Sequence, residues 1–159
     1  MLLPRIRMTE IITAATGFLL AVLWFDLMFD VQVWAHRRAM EVPASVTESI
    51  AAYYRRVTTT ASPMGRLVGL VMVTLIVTLI VQAATEDVPL WVSIVSIPLA
   101  FSATGLAAVR VFGRARRLGT REDAQDVQSD LARSIFRDHI YCLVAMSIVL
   151  GVQLAGAYA

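Results

Sequence analysis

Four runs of apolar residues, each about as long as a bilayer is thick, leave this chain few ways to fold. A ~30 Å hydrocarbon layer takes about 20 helical residues. The runs at 10–35, 66–84, 89–109 and 134–158 all approach that length. Apolar residues make up 58% of the chain and charged residues only 16%, against ~25% in ordinary globular domains. With a mean hydropathy of +0.69, the chain is expected to use lipid, rather than one buried core, as its main solvent. The predicted fold is an all-α, up-down-up-down bundle of four transmembrane helices in a single domain spanning 1–159.

The stretches between the runs refine that picture. Pro43 ends whatever precedes it, and Ser45, Val46, Thr47 and Glu48 have a capping-box pattern. Val46, Ile50, Tyr53, Tyr54 and Val57 recur at helical spacing, which predicts a short amphipathic interfacial helix over 45–59. Glu86 and Asp87 sit in a short acidic turn between the second and third runs. Pro98 falls mid-run and predicts a kink, and Arg110 is expected to close that helix. Thr120 with Glu122, Asp123 and Asp126 reads as a helix start. From it an amphipathic segment, 120–133, is expected to run unbroken into the fourth helix as a long cytoplasmic extension.

All fourteen basic residues are arginine, a bias that fits a GC-rich bacterial genome. Five lie between the first run and the start of the second, counting Arg66, and seven between the third and the first turn of the fourth, counting Arg137, leaving two, Arg5 and Arg7, before the first. Positive residues favour the cytoplasmic side, so both long loops are expected in the cytoplasm and both termini on the periplasmic side of an inner membrane. Arg5 and Arg7 would also suit a signal peptide, but the apolar run after them exceeds an h-region and no small-residue cleavage site follows. It is therefore read as a retained helix. The cluster Arg114, Arg116 and Arg117 is expected to attract anionic lipid headgroups; no aromatic interleaving suggests nucleic acid. The single cysteine, Cys142, reads as a small buried apolar residue.

Chemistry concentrates on Asp26 and Asp30. Four residues apart in an apolar helix, they share one face. Carboxylates there must be protonated, paired, metal-bound or wetted. They define a polar intramembrane site whose catalytic residues, if any, the sequence does not name. Arg37 and Arg110 are candidate ion-pair partners, and Tyr53, Tyr54 and Tyr141 are candidate hydrogen-bond donors. Asp138 and His139 are placed near the same rim. His36 and His139 are the only histidines that could join the acids in a mixed N/O metal site. Neither stands in a metal-motif spacing, so no metal is predicted, and no cofactor is indicated.

The apolar first helix ending in polar residues (Trp24, Phe25 and Asp26 to His36) is followed by an amphipathic link and the run Ser49 to Arg56, containing Tyr53 and Tyr54. That layout resembles the anthrone-oxygenase-like family of small four-helix membrane proteins, over about 60 residues. The same region resembles the membrane protoporphyrinogen oxidases, whose histidine early in helix one has no counterpart here. Neither resemblance transfers a catalytic residue.

Three functions follow as expectations. The first is an accessory, interaction or binding component, within a homo-oligomer or a larger membrane complex, with the aspartates joining helices. The second is a small oxidoreductase or isomerase acting on a hydrophobic quinone- or polyketide-like substrate. The third is a proton- or ion-coupled transport component.

Overall fold

The computed structural model describes residues 7–60, 62–85 and 88–157; the acidic turn at Glu86 and Asp87 lies outside them. All regular structure among the described residues is helical. Helix α1 is Met8–Asp30, and a 3₁₀ turn, Val31–His36, extends it. Helix α2 is Ala44–Arg55, with a wide π turn at Arg56–Thr60. Helix α3 is Ser62–Thr85 and α4 is Leu90–Leu106. A second π turn, Ala107–Val111, joins α4 to α5, Phe112–Thr120, and α6 is Gln125–Gly156. Four helical rods, Met8–His36, Pro63–Thr85, Leu90–Thr120 and Gln125–Gly156, are long and apolar enough to cross a membrane.

These rods pack in a ring: α1 against α6 and α3, and α4 against α6 and α3. Two layers of side chains fill it. One joins Ile12, Leu19, Met72, Leu75, Leu79, Met146 and Val149 with the small residues Ala15, Ala100, Ala103 and Ala145. Small residues let helix backbones approach closely, the usual source of cohesion where lipid is as apolar as the side chains. The other layer gathers Val33, Val42, Ile50, Ala51, Leu118, Ala132 and Ile135, so that α2, α5 and the first half of α6 pack together beyond the ring. Outward, the rods present Trp24, Leu70, Val73, Ile94, Val109 and Val144, all more than half exposed. A soluble monomer rarely carries so much contiguous apolar surface.

At the far end, Gln82 and Gln153 form a reciprocal amide pair. Each donates its side-chain N–H to the other's carbonyl oxygen, at 3.1 and 3.2 Å. Gln82 also donates to Thr9 and Gln153 to Ser96, so one buried polar layer touches all four rods.

The structure corrects several boundaries. The third rod does not close at Arg110: the wide turn carries it on to Thr120. The break falls at Arg121, whose φ of 58° is left-handed. Thr120 therefore ends a helix, donating to the Arg117 carbonyl oxygen, and α6 begins five residues later. Asp123 does not cap a helix either; it takes a two-pronged pair from Arg117 at 2.8 and 2.7 Å. The Ser45–Glu48 pattern is likewise unused: Pro43 precedes α2 without a side-chain cap, and Thr47 donates back to the Ala44 carbonyl oxygen. Pro98 lies inside α4 without ending it.

Candidate functional site

Asp26 and Asp30 project from one face of α1, as their spacing requires, toward α2 and α6. Tyr53 donates to Asp26 Oδ1 at 2.6 Å. Its neighbour Tyr54 donates to both oxygens of Asp30, at 2.8 and 2.9 Å. From α6, His139 Nδ1 lies 2.7 Å from Asp30 Oδ2, and its other nitrogen, Nε2, lies 3.7 Å from Asp26 Oδ2. Five side chains from three helices thus form one chain of contacts, Tyr53–Asp26–His139–Asp30–Tyr54. Its two carboxylates differ: the Asp30 side chain is fully buried (0% exposed), whereas that of Asp26 keeps 16%.

Ring packing holds these groups in place. Phe29 stacks on Tyr53 with centroids 4.1 Å apart, and Tyr53 meets Tyr54 edge to face at 5.2 Å. Gln32 donates to the Phe29 carbonyl oxygen and to Ser49 Oγ, a second polar tie between α1 and α2. Burial, followed by the Asp26 charge, raises the Tyr53 phenol above its ordinary pKa; burial and the Asp30 charge raise Tyr54 likewise. Both phenols are therefore hydrogen-bond donors across the physiological pH range.

The hydrogen bond to Asp30 organises the imidazole. When His139 is neutral, a proton on Nδ1 donated to Asp30 leaves Nε2 as the free acceptor, and Tyr54 in turn steadies Asp30. Nε2 faces Asp26 beside an open-sided cavity of about 440 Å³. Leu19, Leu23, Val68, Met72 and Met146 are among its walls, and Asp26, Tyr53, Tyr54 and His139 line it as well. Both π turns border the cavity, through Val57 and Thr58 in one and Ala107 and Val111 in the other. Such turns recur where a helix has been adapted to a site.

The other candidates lie elsewhere. Arg37 pairs with neither aspartate; its guanidinium covers the Trp34 ring at 4.7 Å. Arg110 reaches Asp138 at 3.5 Å, and Arg114 reaches the same carboxylate at 3.2 Å. Asp138 therefore belongs to an arginine cluster on a face of α6 turned away from that of His139, because consecutive helical residues point ~100° apart. Tyr141 shares a 2.7 Å hydrogen bond with Ser102. His36 contributes only its carbonyl oxygen, which accepts from Arg133 at 3.4 Å. Among the described residues no three His, Cys, Asp or Glu side chains are placed to hold a metal ion.

The sequence groups His139 with the two acids near one rim but shows neither its place between them nor the cavity, although one signal is present. Leu131, Ile135, His139, Cys142, Met146, Val149 and Gln153 recur at intervals of three and four. That stripe is the buried face of α6, and His139 interrupts it as Asp26 and Asp30 interrupt α1.

Fold and site together describe an all-helical chain with four membrane-length rods and a histidine held between two aspartates beside an apolar cavity. No protein-family model, curated protein or solved structure matches the chain.

Proposed function

We propose that this chain is a multi-pass membrane protein that binds a hydrophobic small molecule among its helices and performs acid–base chemistry on it, as an isomerase does. The observation that carries this reading is the apolar cavity ending on the Asp26–His139–Asp30 cluster. Ligand sites are typically concave, mostly apolar and equipped with a few convergent polar groups. The apolar walls would seat the carbon skeleton. A ligand hydroxyl about 2.8 Å from His139 Nε2 could donate its proton to that nitrogen from the cavity side of the 3.7 Å gap to Asp26. His139 is the group that takes or returns a proton, Asp30 and Tyr54 position it, and Asp26 with Tyr53 receives the polar atom. A quinone- or polyketide-like ring that carries a hydroxyl has this chemistry.

The membrane setting is part of the proposal. Arginine placement supports an up-down bundle in a bacterial inner membrane with both termini periplasmic. The cluster then lies in the cytoplasmic half, and α2, with its apolar face inward, covers that end. An accessory role, with the aspartates serving only to join helices, is the competing reading.

Purification in detergent, followed by solvent extraction and mass spectrometry, separates the two. The proposal expects a hydrophobic compound to co-purify with the native chain and to be depleted at least tenfold in His139→Gln at unchanged yield and helicity. If His139→Gln and Asp26→Asn instead lower thermal stability and native and variant chains yield identical extracts, the acid–base reading is wrong.

A further inference from the structure

The cavity is electrically asymmetric. Its inner wall carries Asp26 and His139, while one guanidinium, that of Arg116 on α5, lines it from an exposed position. Several arginines on this side of the chain have carboxylate partners. Arg110 and Arg114 pair with Asp138, Arg117 with Asp123, Arg121 with Glu48, and Arg133 with Asp130. Arg116 has no such partner: among the described residues no carboxylate lies within ion-pair distance of it. Three more lining residues, Phe112, Met64 and Phe25, are also exposed, at 41%, 39% and 58%, so the cavity opens to the outside of the bundle.

We infer that the ligand is an anionic amphiphile whose carboxylate or phosphate is held at the entrance by Arg116, with its apolar body inside and a second polar atom at His139. This rests on the ligand-binding reading above and adds the ligand's charge and direction. A guanidinium without a protein counter-ion is a ready partner for a carboxylate or phosphate. Asp26 on the inner wall repels the same group, so the ligand enters in one orientation, charge outermost. The bland alternative, in which Arg116 merely faces the headgroup region, predicts no selectivity between charged and neutral occupants of the cavity.

The test uses 12-hydroxydodecanoate and its neutral methyl ester as probes, titrated against the full chain in nanodiscs of zwitterionic phosphatidylcholine. The native chain is expected to bind the acid about tenfold more tightly than the ester, as one charge-assisted contact warrants. Arg116→Gln should remove that preference while leaving ester affinity unchanged, and Arg116→Lys should restore part of it. Adding phosphatidylglycerol separates the sources: competition with the acid identifies a bilayer lipid as the natural anion, and no competition identifies a free amphiphile. Equal binding of acid and ester by the native chain, or an unchanged preference in Arg116→Gln, overturns the assignment of Arg116 and leaves the cavity reading standing. Binding of neither probe to the native chain overturns both.

Discussion

Asp30 is the residue on which the site's geometry turns. It is fully buried, and the Tyr54 hydroxyl, whose single proton is shared between both carboxylate oxygens, and His139 Nδ1 satisfy it. Removing one member of such a set leaves a buried polar group short of partners, at a cost of about 1–3 kcal/mol. Tyr54→Phe should therefore destabilise the protein by about 2 kcal/mol. Tyr53→Phe should cost less than 1 kcal/mol, because Asp26 borders the cavity and can recover a partner there. Denaturant unfolding in detergent measures the difference, and equal costs would refute the distinction between the two acids. The same tyrosines make a pH prediction. Their folded pKa values are raised, so the contribution of their protonated phenols is complete below the ordinary value of about 10 and is lost as pH climbs through the raised folded values. Phenolate absorbance from Tyr53 and Tyr54, obtained by subtracting the Phe variants, should therefore appear only well above pH 10; appearance near pH 10 would mean that the burial is not real.

Among the helices, two contacts decide how the parts fit. A methyl group added at Gly119 would lie 3.0 Å from the Arg55 backbone nitrogen, so α5 and α2 meet backbone to backbone there. Gly113, on the same helix, has nothing within 4 Å. Gly119→Ala should cost about 1–3 kcal/mol, whereas Gly113→Ala should be neutral or stabilising by up to about 1 kcal/mol. Thermal melts of the pair provide the check, and a neutral Gly119→Ala would argue against the close approach. At the opposite end, Gln82→Leu and Gln153→Leu should be non-additive, with a coupling of about 0.6–1.7 kcal/mol. Much of this level was legible beforehand, since long apolar runs leave little freedom. What escaped was continuity. Arg110, Arg114 and Arg117 looked like loop residues, but with Asp138 and Asp123 as partners they remain helical through Thr120. Pairing across the fold, rather than the local signal at Thr120, determined where the chain turns.

For the whole molecule, the proposed orientation makes a direct prediction. A reporter active only outside the cytoplasm should be active when fused after residue 157 and inactive when inserted near residue 40; the reverse pattern would invert the bundle. The candidate site was half legible at this scale. Asp26 and Asp30 were conspicuous against their apolar helix, and Tyr53 and Tyr54 were already candidate donors. The arginines were the misleading part: Arg37 and Arg110 were considered as counter-ions for these acids, whereas Arg37 covers the Trp34 ring and Arg110 pairs with Asp138. A cavity, by contrast, is defined by side chains that fail to meet, and no linear pattern records that.

The adjacency of Asp138 and His139 has a mechanical consequence. One residue grips Arg110 and Arg114 on one side of α6 while the next enters the cavity side. The arginine clasp thus behaves like a key in a shaft, fixing the azimuth of α6 about its own axis. Slackening it, with Asp138→Asn or concentrated salt, should let the shaft turn by a few degrees and swing the imidazole away from Asp30. Surface charge would then shift a buried imidazole that it never touches.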